Sequence, residues 1–205
     1  MHSSARILSV LLHPLWMPTL TIVICFSIDP HLSIMFDTNG LLIIYGMVFA
    51  MTAVFPLMSA LMMARNGLIS KLTMPERRER IPAYIITLLY YGLCYYLLRR
   101  TPNHPITLSI LFGAVLALLL TLLITLRWKI SAHMIGIGGL LGALLAVMVL
   151  HEAHAPLMLC AALILAGALG TARLLVSDHT PAQVYAGALL GVFCTFGCAL
   201  LGVYV

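Results

Sequence analysis

Apolar runs of roughly membrane-spanning length alternate along this chain with short polar breaks, and the alternation predicts seven helices, at about 6–28, 41–64, 81–98, 105–126, 134–150, 156–176 and 183–204. Leu41 to Met63 and Pro105 to Leu126 carry no charge at all. Each exceeds the roughly 20 residues that cross a bilayer core as a helix. The breaks hold Asp29-Pro30, Asn66-Gly67, Thr101-Pro102-Asn103, Ala155-Pro156 and Thr180-Pro181, all good turn formers. No long linker divides them, so residues 1–205 read as a single integral membrane domain. The expected fold is an all-α, polytopic helix bundle.

The first run, from Arg6 to Ile28, also has to be weighed as a cleaved signal. Its apolar part is longer than the 7–15 residues of a signal core, and no A-x-A-like site ends it. Pro14 and Pro18 interrupt it. It reads as a retained membrane segment, kinked or partly re-entrant, with Trp16 placed to sit at headgroup level.

Composition agrees with the pattern: 62% of residues are hydrophobic and only 8% charged, against about 25% charged in a soluble domain. Cys25, Cys94, Cys160, Cys194 and Cys198 all fall in apolar segments without metal-ligand spacing, and read as small buried hydrophobes. Glycines gather on the later helices. Gly138 with Gly142, and Gly187 with Gly191, have the spacing that lets two helix backbones approach closely. The run from Gly136 to Gly142 is not a dinucleotide fingerprint, because Leu141 stands where the third glycine is needed and no strand precedes it.

Charge adds an asymmetry. If successive helices alternate direction, the breaks after the second, fourth and sixth share one side of the membrane. With Arg6 that side holds nine Lys/Arg and the acids Glu76, Glu79 and Asp178, whereas Arg99 and Arg100 face Asp29, Asp37 and Glu152 on the other. Such a bias is either topogenic, placing this side in the cytoplasm, or the mark of an anion site. The expected location is the inner membrane of a bacterium.

Three segments on the basic side carry the chemistry: Lys71 to Arg80, Lys129 to His133, and Arg173 to His179. Arginine offers a planar fork of donors suited to phosphate oxygens, and lysine a compact charge. His133 and His179 are groups that can move a proton near neutral pH or attack phosphorus. The three segments resemble the signature motifs of the type 2 phosphatidic acid phosphatase superfamily, K-x6-R-P, P-S-G-H and S-R-x5-H-x3-D. Lys71 and Arg78 keep the first spacing, Ser131-Ala132-His133 resembles the second, and Arg173 with His179 keeps the third. Pro82 follows Arg80 rather than Arg78, Ile130 and Ala132 replace proline and glycine, Ala172 replaces serine, and Gln183 replaces the final aspartate. The resemblance covers about 65–190 and leaves the first one or two helices outside it.

The resemblance implies a divergent lipid phosphatase that needs no metal or other cofactor. Its substrate would be a lipid phosphomonoester or pyrophosphate, of the phosphatidate, phosphatidylglycerol phosphate or polyprenyl phosphate kind. His179 would attack phosphorus to form a phosphohistidine, and His133 would protonate the leaving oxygen and then activate water. Gln183 would orient His179, although an amide cannot balance imidazolium charge as a carboxylate does. Lys71, Arg78, Arg80, Ser131 and Arg173 would hold the phosphate. The implied partners are membrane lipids, with no nucleic acid. A competing reading keeps the site as a lipid-phosphate binder or transporter that no longer hydrolyses; a third makes the basic loop a dock for a soluble partner. His151-Glu152-Ala153-His154 is not H-E-x-x-H and lies on the opposite side. His13 has no role in any of these readings.

Overall fold

The computed structural model describes residues 2–74, 76–176 and 179–203, and all of their regular structure is helical. Pro75 of the first basic segment and Ser177 and Asp178 of the third lie outside the described residues. In chain order the helices are α1 (His2–Leu11), α2 (Met17–Ile28), α3 (Thr38–Phe49), α4 (Phe55–Arg65), α5 (Arg77–Arg99), α6 (Pro105–Thr125), α7 (Ala132–Leu150), α8 (Pro156–Val176) and α9 (Pro181–Leu200). A 3₁₀ turn, Pro30–Ser33, follows α2, and a π turn, Ala50–Val54, joins α3 to α4 without a break.

Among the described residues six helices are long and apolar enough to cross a membrane, where seven were expected from the sequence. The difference lies in the first run. Pro14 has no N–H with which to bond the Val10 carbonyl, so a helix cannot continue through it. Pro18 is tolerated because it falls in the first turn of α2. The predicted span 6–28 is therefore two helices of 10 and 12 residues, each well short of a bilayer core at about 1.5 Å per residue. The π turn has a related cause: Pro56, the second residue of α4, has no N–H to give to the turn before it, and the hydrogen-bond register slips there.

Lipid gives helices no hydrophobic reason to associate, so close packing has to come from shape. The glycines supply it. A Cβ on Gly138 would meet the Ala188 carbonyl, one on Gly142 would lie 2.6 Å from the Val192 carbonyl, and one on Gly187 would lie 2.8 Å from the Ser131 carbonyl. A Cβ on Gly191 would strike the Ile135 carbonyl and come within 2.7 Å of the Gly139 nitrogen. The α7–α9 seam is thus backbone against backbone, tied by Thr195 Oγ1, which donates to the Gly139 carbonyl at 3.0 Å. Gly167 is different, with open space where a side chain would go. Around α7, whose Ile137, Ala143, Leu144, Ala146 and Val147 are fully buried, pack α2, α6, α8 and α9. Outward faces stay apolar, as Leu157, Ile164, Leu189 and Phe193 show. Cys25, Cys94, Cys194 and Cys198 are buried as expected, but Cys160 is exposed on α8.

The bundle has two polar ends. At one, the buried Asp29 carboxylate lies 2.6 Å from His151 Nδ1, and the His151 ring packs edge-on against His104 at 4.8 Å. This end joins α2 to α7 and α6. The other end gathers the predicted basic segments.

Candidate functional site

Two contacts set the site end. Arg77, in the first turn of α5, donates to the Leu126 carbonyl at the end of α6, and the Ser131 amide donates to the Gln183 carbonyl at 3.4 Å. The described residues of the breaks at 66–76, 126–131 and 177–180 therefore share one end, as the alternation of spans predicts. The α7–α9 glycine seam decides how close the second and third segments come, since Gly187 touches Ser131 itself.

His179 precedes α9 and is 7% exposed. Thr180 caps that helix: its hydroxyl accepts from the Gln183 amide at 3.4 Å, and the Gln183 side chain returns the bond by accepting from the Thr180 amide at 3.2 Å. The same Gln183 Oε1 lies 3.0 Å from His179 Nδ1. An amide oxygen only accepts, so the His179 proton sits on Nδ1 and the Nε2 lone pair is left available. The capping box therefore fixes both the ring and its tautomer. Burial, above all, pushes the His179 pKa down to about 4; the Gln183 bond opposes the shift, while the positive charges of Arg173, Arg80 and Lys129 add to it. At neutral pH this imidazole is uncharged, the form a nucleophile needs.

His133, in the first turn of α7, is within electrostatic reach of Arg173, His13 and His179. Its Nε2 lies 3.1 Å from the Ser9 carbonyl, and its ring meets His13 edge-on at 5.3 Å. Ser131, at the α7 N-cap, is 0% exposed, and its hydroxyl has no hydrogen-bond partner among the described residues. A buried hydroxyl in that condition carries a penalty of about 1–3 kcal/mol that an incoming acceptor would relieve.

The first segment divides. Arg80 is half-buried, donates from Nε to the Met74 carbonyl at 3.0 Å, bonds the Tyr84 hydroxyl and lies within reach of His179 and Arg173. Arg78 is exposed. Two residues on a helix point about 200° apart, so Arg78 and Arg80 cannot face one site together. Lys71 is also exposed, its carbonyl accepting from the Met74 amide at 2.9 Å, and no contact among the described residues carries its side chain to the imidazoles. Of the residues selected from the sequence, the fold brings together Arg80, Ser131, His133, Arg173, His179 and Gln183. It adds Lys129, visible as a charge next to Ser131 but given no role, and His13 with the Ser9 backbone, which no motif marks.

The chain stands apart. It matches no family model, no curated protein and no solved structure.

Below the cluster an apolar cavity of about 120 Å³ runs between α2, α5, α6 and α7. Its upper rim includes Pro14, Tyr84 and Ala132, each next to or bonded with a site residue, and Tyr91, Ile110 and Leu111 lie deeper. The hydroxyls of Thr87 and Thr121 turn back to the Ala83 and Ala117 carbonyls of their own helices. Those threonines offer the cavity methyl groups, as a dry hydrocarbon site requires. Among the described residues no group of His, Cys, Asp or Glu is arranged to hold a metal ion.

Gln183→Glu tests the electrostatics. It keeps the length and the capping box but places a carboxylate against His179 Nδ1. An opposite charge favours imidazolium, so the His179 pKa should rise from about 4 by about one unit or more. A histidine titration by NMR in micelles would read the shift; an unchanged or lower pKa would contradict the pairing.

Proposed function

We propose that this protein hydrolyses a phosphomonoester or pyrophosphate of a membrane lipid, as a divergent relative of the type 2 phosphatidic acid phosphatases in a bacterial inner membrane. The observation that carries the reading is the buried, neutral His179 held through Nδ1 by Gln183, with Arg173, Arg80, Lys129 and His133 around it.

On this reading the lipid headgroup enters the basic cluster from the side of the bilayer and its tail takes the apolar cavity. That cavity is slightly smaller than one of about 150 Å³ that holds benzene, so it suits part of a single chain. Arg80, Arg173 and Lys129 bind the phosphate oxygens, and Ser131 gives its hydroxyl to one of them. His179 Nε2 attacks phosphorus. As the N–P bond forms and the P–O bond to the lipid breaks, His133 gives a proton to the leaving oxygen; water, losing a proton to His133, then releases phosphate from His179. Charge spread over the phosphoryl oxygens is met by cations already in place, the largest usual contribution in such sites.

Arg80 and Arg78 separate this arrangement from a generally basic loop. Arg80→Ala should lower kcat/KM by about 10²-fold, the usual cost of one preorganised donor, whereas Arg78→Ala should change it only slightly. Equal losses would mean that neither arginine is aimed at the phosphate.

A second reading has one observation of its own. Gln183 cannot balance imidazolium charge, which favours a protein that binds a lipid phosphate or moves it without hydrolysis. Phosphate release by detergent-solubilised protein from a short-chain lipid phosphate, with EDTA present, decides between the two. Release supports the hydrolase; saturable binding of the intact lipid without release supports the binder.

A further inference from the structure

The break between α1 and α2 lies in the chain's first segment, outside the region of resemblance, yet it is built into the candidate site. Its geometry begins with a helix end. The last carbonyls of any helix lack intrahelical partners. In α1 the Leu12 amide still closes on the Leu8 carbonyl at 2.9 Å, and the helix then stops, because the residue before a proline is pushed out of the helical conformation, so that the His13 amide does not close on Ser9. The next carbonyl, that of Ser9, is left to find a partner elsewhere. It is taken by His133 Nε2, at 3.1 Å and more than a hundred residues away in sequence.

The break itself is firmly made. Trp16 Nε1 donates to the Leu11 carbonyl at 2.8 Å, and the Leu15 amide donates to His13 Nδ1 at 3.3 Å. The Trp16, His13 and His133 rings follow one another at 5.6 and 5.3 Å, the second pair at an interplanar angle of 78°. His13, with Nδ1 accepting, carries its own proton on Nε2. It forms a fixed wall for one edge of the His133 ring.

A carbonyl oxygen can only accept. For the neutral His133 ring the proton must therefore be on Nε2, and the lone pair on Nδ1. We propose that the break at 12–16 is a working part of the site, with the Ser9 carbonyl and the His13 ring as positioning groups that hold His133 in the Nε2–H tautomer, so that Nδ1 is the atom that gives and takes the proton. This rests on the phosphatase reading and extends it. The proton balance is simple. A bound phosphate anion favours imidazolium, with Nε2–H still on Ser9 and a second proton on Nδ1. The Nδ1 proton goes to the leaving lipid oxygen, and Nδ1 takes one back from the attacking water. The bond to Ser9 is kept through both steps, so the ring does not have to turn over between them.

The test has two arms. In ¹⁵N-histidine-labelled protein in micelles, His133 of the unmodified chain should show a protonated Nε2 and an unprotonated Nδ1. His13→Ala should give a mixture of tautomers, and His13→Phe, which restores an aromatic edge, should return the single form. In lipid-phosphate hydrolysis His13→Ala should lower kcat about 10-fold, less than the roughly 10²–10⁴-fold that losing the proton-transfer group itself would cost. KM should hardly change, and His13→Phe should recover most of the loss. A protonated Nδ1 in the unmodified chain, or a His13→Ala variant with unchanged tautomer and kcat, would overturn the proposal. The nitrogen shifts are read on resting protein and judge the positioning even if no lipid is hydrolysed. An absence of hydrolysis with the expected tautomer would refute Nδ1 as the proton carrier together with the phosphatase reading.

Discussion

His179→Ala is expected to lower kcat for a short-chain lipid phosphate by about 10³-fold or more, while His154→Ala leaves it unchanged. The two differ in place. His179 is buried among Arg173, Arg80 and Lys129, with its ring held by Gln183. His154 is exposed at the start of α8, beyond the opposite end of α7. If His179 forms the bond to phosphorus, no neighbour can replace it, because His133 is turned toward Ser9. The loss should appear in kcat rather than KM, since the cations that bind the phosphate remain. A His179→Ala protein that keeps most of its rate would remove the nucleophile from the mechanism, and equal losses in the two variants would point to folding instead.

The second large effect should come from a residue that touches no substrate. Gly191→Leu puts a side chain where the Ile135 carbonyl and the Gly139 nitrogen already lie. Both are backbone atoms of α7 and cannot swing aside as a side chain could. Overpacking usually costs about 1–3 kcal/mol, and here it should also push α9 away from α7. The 3.4 Å bond from the Ser131 amide to the Gln183 carbonyl should then break, parting Ser131 and His133 from His179. Expected together are a lowered thermal midpoint in detergent and near-complete loss of hydrolysis. Gly167→Leu, in open space on α8, should do neither. If Gly191→Leu were as stable and active as the unmodified chain, the glycine seam would not be what assembles the site.

Much of this was legible in the sequence because lipid imposes simple rules. Uncharged runs mark spans; turn residues mark their ends; the parity of spans places three basic segments together. The small-residue spacings at Gly138 and Gly142, and at Gly187 and Gly191, mark helices built for close approach, and the structure shows that the two face each other. The link between Gln183 and His179 was implied by the resemblance, whose third motif ends on a residue four positions after the histidine.

Other features left weaker marks. A hydropathy break falls where charge begins, so α5 was expected from 81, whereas its helix extends back to Arg77 beyond the apolar stretch. That shift fixes which arginine faces inward, and it selects Arg80 over Arg78. Pro14 and Pro18 announced an interruption, but not that α1 and α2 would each be too short to span. The Ser9 carbonyl is a backbone group, which any residue would supply, and so leaves no trace in the sequence. Cys160 shows the same limit from the other side: an apolar segment does not say which of its faces meets lipid.

The chemistry turns on whether His179 becomes bonded to phosphorus. The most direct measurement is rapid denaturing quench of the solubilised protein with a radiolabelled short-chain lipid phosphate, followed by stability of the protein-bound label to acid and base. Label that survives base, is lost in acid, and is absent from His179→Ala is the predicted result. Binding of the lipid with neither label on the protein nor phosphate in solution, or label that persists in His179→Ala, would contradict it.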